Sequence, residues 1–121
     1  MAAIDLETGV VVIKKYFLTE DIGRALNPAL VQGQAVGGVV QGLGGTLLDH
    51  MIYDENGQLL TGSFADYLLP TSSNLPEITA ITLEESPSKL NPMGFKVAGE
   101  CGIVAVAAAG GNAVALALKP Y

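Results

Sequence analysis

Among the side chains that could do chemistry, Glu100 stands apart. It sits in "KVAGECGIVAV", and the next strongly polar side chain after it is Asn112. A carboxylate shielded from water in this way favours its protonated form and can accept a proton near neutral pH. The simpler role of such a residue is a helix N-terminal carboxylate, stabilised by the macrodipole. Its neighbour Cys101 could be a nucleophile activated at a helix start. The only histidine, His50, is distant in sequence and has no identifiable partner, so Cys101 reads as a buried structural residue. The spacing of Gly94 and Gly99 matches a phosphate loop, G-x-x-x-x-G, which should continue Lys-Ser or Lys-Thr. Glu100 and Cys101 stand there instead, and a carboxylate would repel phosphate. Asp66, in "GSFADYLLP", reads as a local hydrogen-bonding residue. A single cysteine excludes a disulfide framework and any multi-cysteine metal site.

A second group lies in "VQGQAVGGVVQGLGG", Val31 to Gly45, whose apolar residues recur at helical spacing among six glycines. Each interior glycine costs a helix about 1 kcal/mol relative to alanine, so support must come from outside. Gln34 and Gln41 are two turns apart on one face, with Gly37 and Gly38 between them. Amides that donate and accept beside bare backbone suit a flat heterocycle or a phosphate-bearing cofactor. The alternative is close helix–helix packing, with glutamine bridging to a neighbour's backbone.

The elements that must position these groups alternate along the chain. "LETG" predicts a hairpin turn before the β-branched strand "VVVIKKYF", which "TEDIG", from Thr19, ends. Asn27-Pro28 marks a helix start, with Asn as cap and Pro at the first helical position. That helix is expected to run to about Met51, with His50 near its end. "DENG" is another turn, "PTSSNLP" a polar loop, and "EITAITLEE" a strand. "NPMG" forms the next loop, and "GIVAVAAAGGNAVALAL" a last helix stopped before Pro120. The order β, α, β, α predicts a two-layer α+β fold over one domain, residues 1–121, with glycine-rich helices on a small sheet.

Of the 121 residues half are hydrophobic and only 15% are charged, an apolar balance for a chain that must make its own surface. Cover by other protein, or by further copies of the chain, accounts for it. The formal charge of −6 and the lack of basic runs argue against nucleic acid or an anionic membrane as partner. Val31–Leu48 and Val97–Leu118 approach the length of a membrane span. Glutamines interrupt the first, and burial in a larger assembly accounts for both. Met1 is followed by neither a basic nor an apolar leader region, which points to the cytoplasm.

Taken together, "NPALVQGQAVGGVVQGLGGTLLDHMIYDENGQLLTGSFADYLLPTSSNLPEI", "NPMGFKVAGECG" and "NAVALAL" resemble the C-terminal part of the molybdenum hydroxylases. These are the molybdopterin-binding subunits of the xanthine dehydrogenase, aldehyde oxidase and aerobic carbon monoxide dehydrogenase group. The resemblance rests on three motifs in order: a G-Q-x-x-G-G-x-x-Q-G-x-G helix, a D-Y-x-x-P strand end and an N-P-x-G-x-K-x-x-G-E loop. It extends over nearly the whole chain.

The resemblance implies hydroxylation of an aldehyde or electron-poor heterocycle, or oxidation of carbon monoxide, with water as oxygen source. It implies molybdopterin as cofactor, with iron–sulfur clusters and FAD on partner domains or subunits. Glu100 matches the family's glutamate base and Gln34 a glutamine that hydrogen-bonds the molybdopterin. Lys96 and Gly99 belong to the glutamate loop and are expected to touch the cofactor, whereas Gln41 is assigned to packing. A whole molybdopterin-binding subunit is several times longer, so the rest of the site is expected on another chain. Val97 stands where the family has glycine, and "AVAAAGG" follows where prolines are common. Both departures leave open a second reading, a non-catalytic relic or interaction module that keeps the fold without the cofactor.

Overall fold

In the computed structural model, which describes residues 1–121, the chain opens with a hairpin. Strands β1 (Ala2–Ile4) and β2 (Val11–Ile13) pair antiparallel, with Ala2 opposite Ile13. The Asp5 carboxylate closes the turn by accepting from the backbone N–H groups of Glu7 and Thr8, as an Asx turn does. Strand β3 (Lys15–Asp21) follows, then helix α1 (Pro28–Leu47), strand β4 (Glu77–Leu83) and the helices α2 (Cys101–Val104) and α3 (Val106–Leu118). A single 3-10 turn, Ser72–Asn74, lies in the polar loop before β4.

The expected α+β class holds, with differences in detail. One small sheet was expected; there are two, each of two strands, because the chain changes partner at Lys14. Beyond it β3 pairs parallel with β4, from Lys15↔Glu77 to Asp21↔Leu83. Strand β3 therefore does not stop at Thr19 but continues through Glu20 and Asp21. On its buried face Leu18, Glu20 and Ile22 alternate at the period of a strand. The last helix, expected unbroken, divides at Ala105. That break falls between Gly102 and Val106, the two residues that lock onto α1, where docking sets the path of the chain.

Helix α1 begins as its sequence dictates: Asn27 Oδ1 accepts from the Leu30 N–H at 3.2 Å, and Pro28 takes the first helical position. It ends at Leu47 rather than near Met51. The Gly44 carbonyl accepts from both Leu48 and Asp49 N–H groups, and Asp49 is turned to accept from the Tyr67 hydroxyl at 2.9 Å. Pro70 packs on Gly44. The D-Y-x-x-P motif is thus no strand end but an irregular segment that docks on the C-terminal end of α1. Asp66 makes its local bond, accepting from the Ser63 hydroxyl at 2.7 Å.

The core is small. Ile13, Leu18, Ala35, Val39, Leu43 and Val106 form its buried cluster, and only 14 of 121 residues are buried. Phe64, Leu90, Val104 and Leu116 remain exposed, so the apolar excess of the sequence is on the surface of this chain. Cys101–Leu118 is long and apolar enough to cross a membrane by length and composition alone. Here Gly102 and Val106 pack on α1, and Gly110 faces Thr46.

Candidate functional site

Glu100 stands at the N-terminal boundary of α2, and its side chain is exposed and caps no backbone group. The apolar enclosure expected around it is not supplied by this chain. What the chain does supply is a fixed position. A Cβ on Gly102 would overlap the Ala35 carbonyl oxygen, and one on Gly38 would come within 2.9 Å of the Gly102 Cα. One turn further along both helices, a Cβ on Gly42 would meet Val106 at 2.6 Å. Glycine is required where two backbones approach this closely. These contacts answer part of the glycine question: Gly38 and Gly42 admit α2 and α3.

The remainder of the glycine face is bare. Nothing lies within 4 Å of a Cβ placed on Gly33 or Gly37, and Gln34 and Gln41 are exposed beside them. Gln34 adjoins Ala35, and Glu100 stands two residues before Gly102. Both therefore flank the same α1–α2 crossing. Gly99 is also exposed and open.

The loop leading to Glu100 is held from both sides. Asn91 brackets Phe95, its Nδ2 donating to the Phe95 carbonyl at 2.9 Å and its Oδ1 accepting from the Phe95 N–H at 3.2 Å. Gly94 (φ +73°) donates to the Asn91 carbonyl and accepts from Ser88 N–H. Lys96 then joins the loop to the end of β3: its N–H donates to the Ile22 carbonyl at 2.7 Å, and its ammonium pairs with Asp21 Oδ2 at 2.5 Å. The Lys96 hydrogen bond, with a further one from the Gly23 N–H, holds the Asp21 carboxyl below its ordinary value. Lys96, expected at the cofactor, thus spends its charge within the chain.

Glu20, next along β3, points the other way and is only 6% exposed. Neither of its oxygens has a hydrogen-bond partner, and burial pushes its carboxyl up. The Cys101 thiol, which donates to the Val97 carbonyl at 3.3 Å, is raised by burial and then by the neighbouring Glu20. Asp21, Glu20 and Asn91 were not singled out by sequence reasoning. The usable signal was an acidic pair at a strand end, whose two members must take opposite faces. The largest cavity, about 420 Å3, lies between the hairpin and the C-terminal end of α1, lined by Val11, Leu43, Leu47 and Pro70 among others. It includes neither Gln34 nor Glu100.

The molybdopterin cofactor-binding domain model matches residues 1–76. The chain belongs to that family. It is 43% identical over 98% of its length to the nicotine 6-hydroxylase large subunit of Paenarthrobacter nicotinovorans. It is 40% identical over 92% of its length to the 6-hydroxypseudooxynicotine dehydrogenase complex subunit gamma of the same organism. Each match covers 14% of the relative. Among solved structures it superposes on quinoline 2-oxidoreductase from Pseudomonas putida 86 with a TM-score of 0.89 at 39% identity. It also superposes on a Cu,Mo-CO dehydrogenase, with a TM-score of 0.90 at 31% identity. Either superposition covers 98% of this chain and 15% of the other. Two further relatives from Escherichia coli (strain K12), a putative xanthine dehydrogenase and an aldehyde oxidoreductase, are molybdenum-binding subunits, and a third, from Afipia carboxidovorans, is a carbon monoxide dehydrogenase large chain. Open glycine backbone, an exposed amide at Gln34 and an exposed carboxylate at Glu100 flank one crossing, a set of groups that suits the family's cofactor.

Proposed function

We propose that this chain is one part of a molybdenum hydroxylase, the C-terminal segment of its molybdopterin-binding subunit, and that its site is completed by other chains. The α1–α2 crossing, which brings Gln34 and the Glu100 turn together, carries the reading. When bound, the molybdenum cofactor supplies the two-electron oxidation of the substrate. Gln34 holds the pterin through its amide, Gly33, Gly37 and Gly99 leave it room, and Lys96 anchors the loop and borders the cofactor. Glu100 takes the proton from the attacking water-derived oxygen, and the partner chains exclude bulk water around it. The substrate is an aldehyde, a heterocycle or carbon monoxide. A nitrogen heterocycle is favoured, because nicotine and quinoline stand in the names of two similar proteins. Iron–sulfur and FAD subunits complete the complex in the cytoplasm, and the chain alone has no turnover.

Glu100→Gln in the assembled complex tests this. Removing a general base costs about two to four orders of magnitude in rate, so turnover is expected to vanish while molybdenum stays bound. Retained turnover would refute the assignment. A second reading, an interaction module without cofactor, is favoured by the pairing of Lys96 with Asp21 and by the exposed Val97 in the loop. A metal-free complex isolated from native cells would select it.

A further inference from the structure

The largest cavity, about 420 Å3, has no task in the site described above. Four consecutive residues, Val10 to Ile13, line it together with Leu43, Leu47 and Pro70, and no charged residue does. Successive side chains of a strand point to opposite faces, so a cavity that touches four in a row meets the edge of β2. The hairpin bonds fix which backbone groups lie on that edge. The Val10 carbonyl accepts from the Asp5 N–H, and the Lys14 N–H donates to the Met1 carbonyl. Val10, Val12 and Lys14 therefore turn their backbone groups to β1, and Val11 and Ile13, between them, turn theirs away. Neither finds a partner elsewhere in the chain. Yet Val11 is half-buried and Ile13 is only 9% exposed, where backbone groups are ordinarily paired. The other strand of this two-stranded sheet, β1, packs against α3, which leaves β2 as the open edge.

We propose that this groove receives an extended apolar segment from the remainder of the molybdopterin-binding subunit, added to β2 as a third strand. The main chain of that segment pairs with Val11 and Ile13, and its side chains fill the cavity, as in other cases of strand addition. A helix has no spare backbone groups to offer such an edge, and a lining without charge selects against a charged segment. The length to supply one exists, since either match to the two Paenarthrobacter nicotinovorans relatives covers 14% of the relative. The proposal rests on the reading of this chain as one part of that subunit. It assigns a partner to a face that includes neither Gln34 nor Glu100.

Three measurements on the assembled complex test it without turnover. Leu47→p-benzoylphenylalanine places a photoreactive group on the cavity wall, and mass spectrometry of the irradiated complex identifies what it joins. One apolar peptide of the larger chain is expected. A cross-link to a second copy of this chain, or to no protein, overturns the proposal. Val11→Pro removes an N–H that the hairpin ladder does not use, as an edge position allows. It is expected to weaken binding of the larger chain about tenfold, the effect of leaving one acceptor unpaired. Binding at the unaltered level overturns the proposal equally. Should the proline variant not fold, hydrogen exchange of the unaltered complex decides. The Val11 and Ile13 amides are expected to be as protected as that of Val12, which is bonded to β1. If they exchange freely while the larger chain and its molybdenum are present, the third strand is absent and the reading of Gln34 and Glu100 stands. A cross-link to a protein that carries no molybdenum overturns both.

Discussion

Gly102 presses on helix α1 so closely that a methyl group on it would overlap the carbonyl oxygen of Ala35. The contact fixes where α2 begins, and hence where Glu100 stands relative to Gln34. Neither residue could be held there by side-chain packing, because both side chains are exposed.

Substituting Gly102→Ala forces the two helices apart. Overpacking of this kind costs about 1–3 kcal/mol, so a lower unfolding temperature of the assembled protein is expected. Gly37→Ala makes the opposite case: nothing beyond its own helical turn lies within 4 Å of the added carbon, and the helix gains about 1 kcal/mol in propensity. If the pterin approaches this bare face, Gly37→Ala lowers molybdenum content while leaving the fold as stable or more so. Full molybdenum with the alanine in place would show that the cofactor does not use it.

The Asp21–Lys96 pair predicts an acid limit. The lysine hydrogen bond lowers the Asp21 carboxyl from its ordinary value of 3.8, so the folded chain releases this proton more readily than the unfolded one. The stabilisation is complete above the ordinary value and is lost as pH falls through the lowered one. Its size is limited by solvent screening, since both side chains are partly exposed. Comparison of Asp21→Asn with the unaltered protein in denaturant, at about pH 6 and about pH 2, should show a difference that closes on acidification. A difference that persists unchanged at the lower pH would mean that the ion pair is not its source.

Glu20 predicts the reverse slope. Burial raises its carboxyl above the ordinary value of 4.5, so the folded state keeps a proton that the unfolded chain gives up. Stability is then highest below the ordinary value and falls as pH rises through the window between it and the raised one. Glu20→Gln removes that slope and is expected to gain on the unaltered protein from about pH 4 to about pH 7. Unfolding midpoints at the two pH values provide the check, and parallel shifts would rule out a buried free acid.

These features differ in how far they could be read from the sequence. The Asn27-Pro28 start of α1 was legible because capping is local: the acceptor and the N–H it serves are three residues apart. The glycines of α1 announced a close approach, but their division could not be read. Gly38 and Gly42 face this chain's own later helices, whereas Gly33 and Gly37 face nothing in it. Thr19-Glu20-Asp21 reads as a polar exit from strand β3, while its true extent is set by pairing with β4. The Asp21–Lys96 pair spans 75 residues, and no local pattern announces it. Glu100 was expected in an apolar pocket from its apolar neighbours. Those neighbours are themselves largely on the surface, so this chain does not supply that enclosure.

The parallel pairing of residues 15–21 with 77–83 also governs the order in which the site can form. Strand β4 must return across the whole intervening loop before it meets β3, and the glycine-rich helix α1 gains its outside support only when the later α2 and α3 dock on Gly38 and Gly42. Closing such a loop costs entropy that is recovered only when the ladder is complete, and non-local pairings of this kind slow folding. The segment from Lys96 to Glu100 docks on the end of β3, just past the last ladder pair. Gln34 and Glu100 are therefore fixed relative to one another only at the end, when the α1–α2 crossing closes, so the two flanks of that crossing form in a single step.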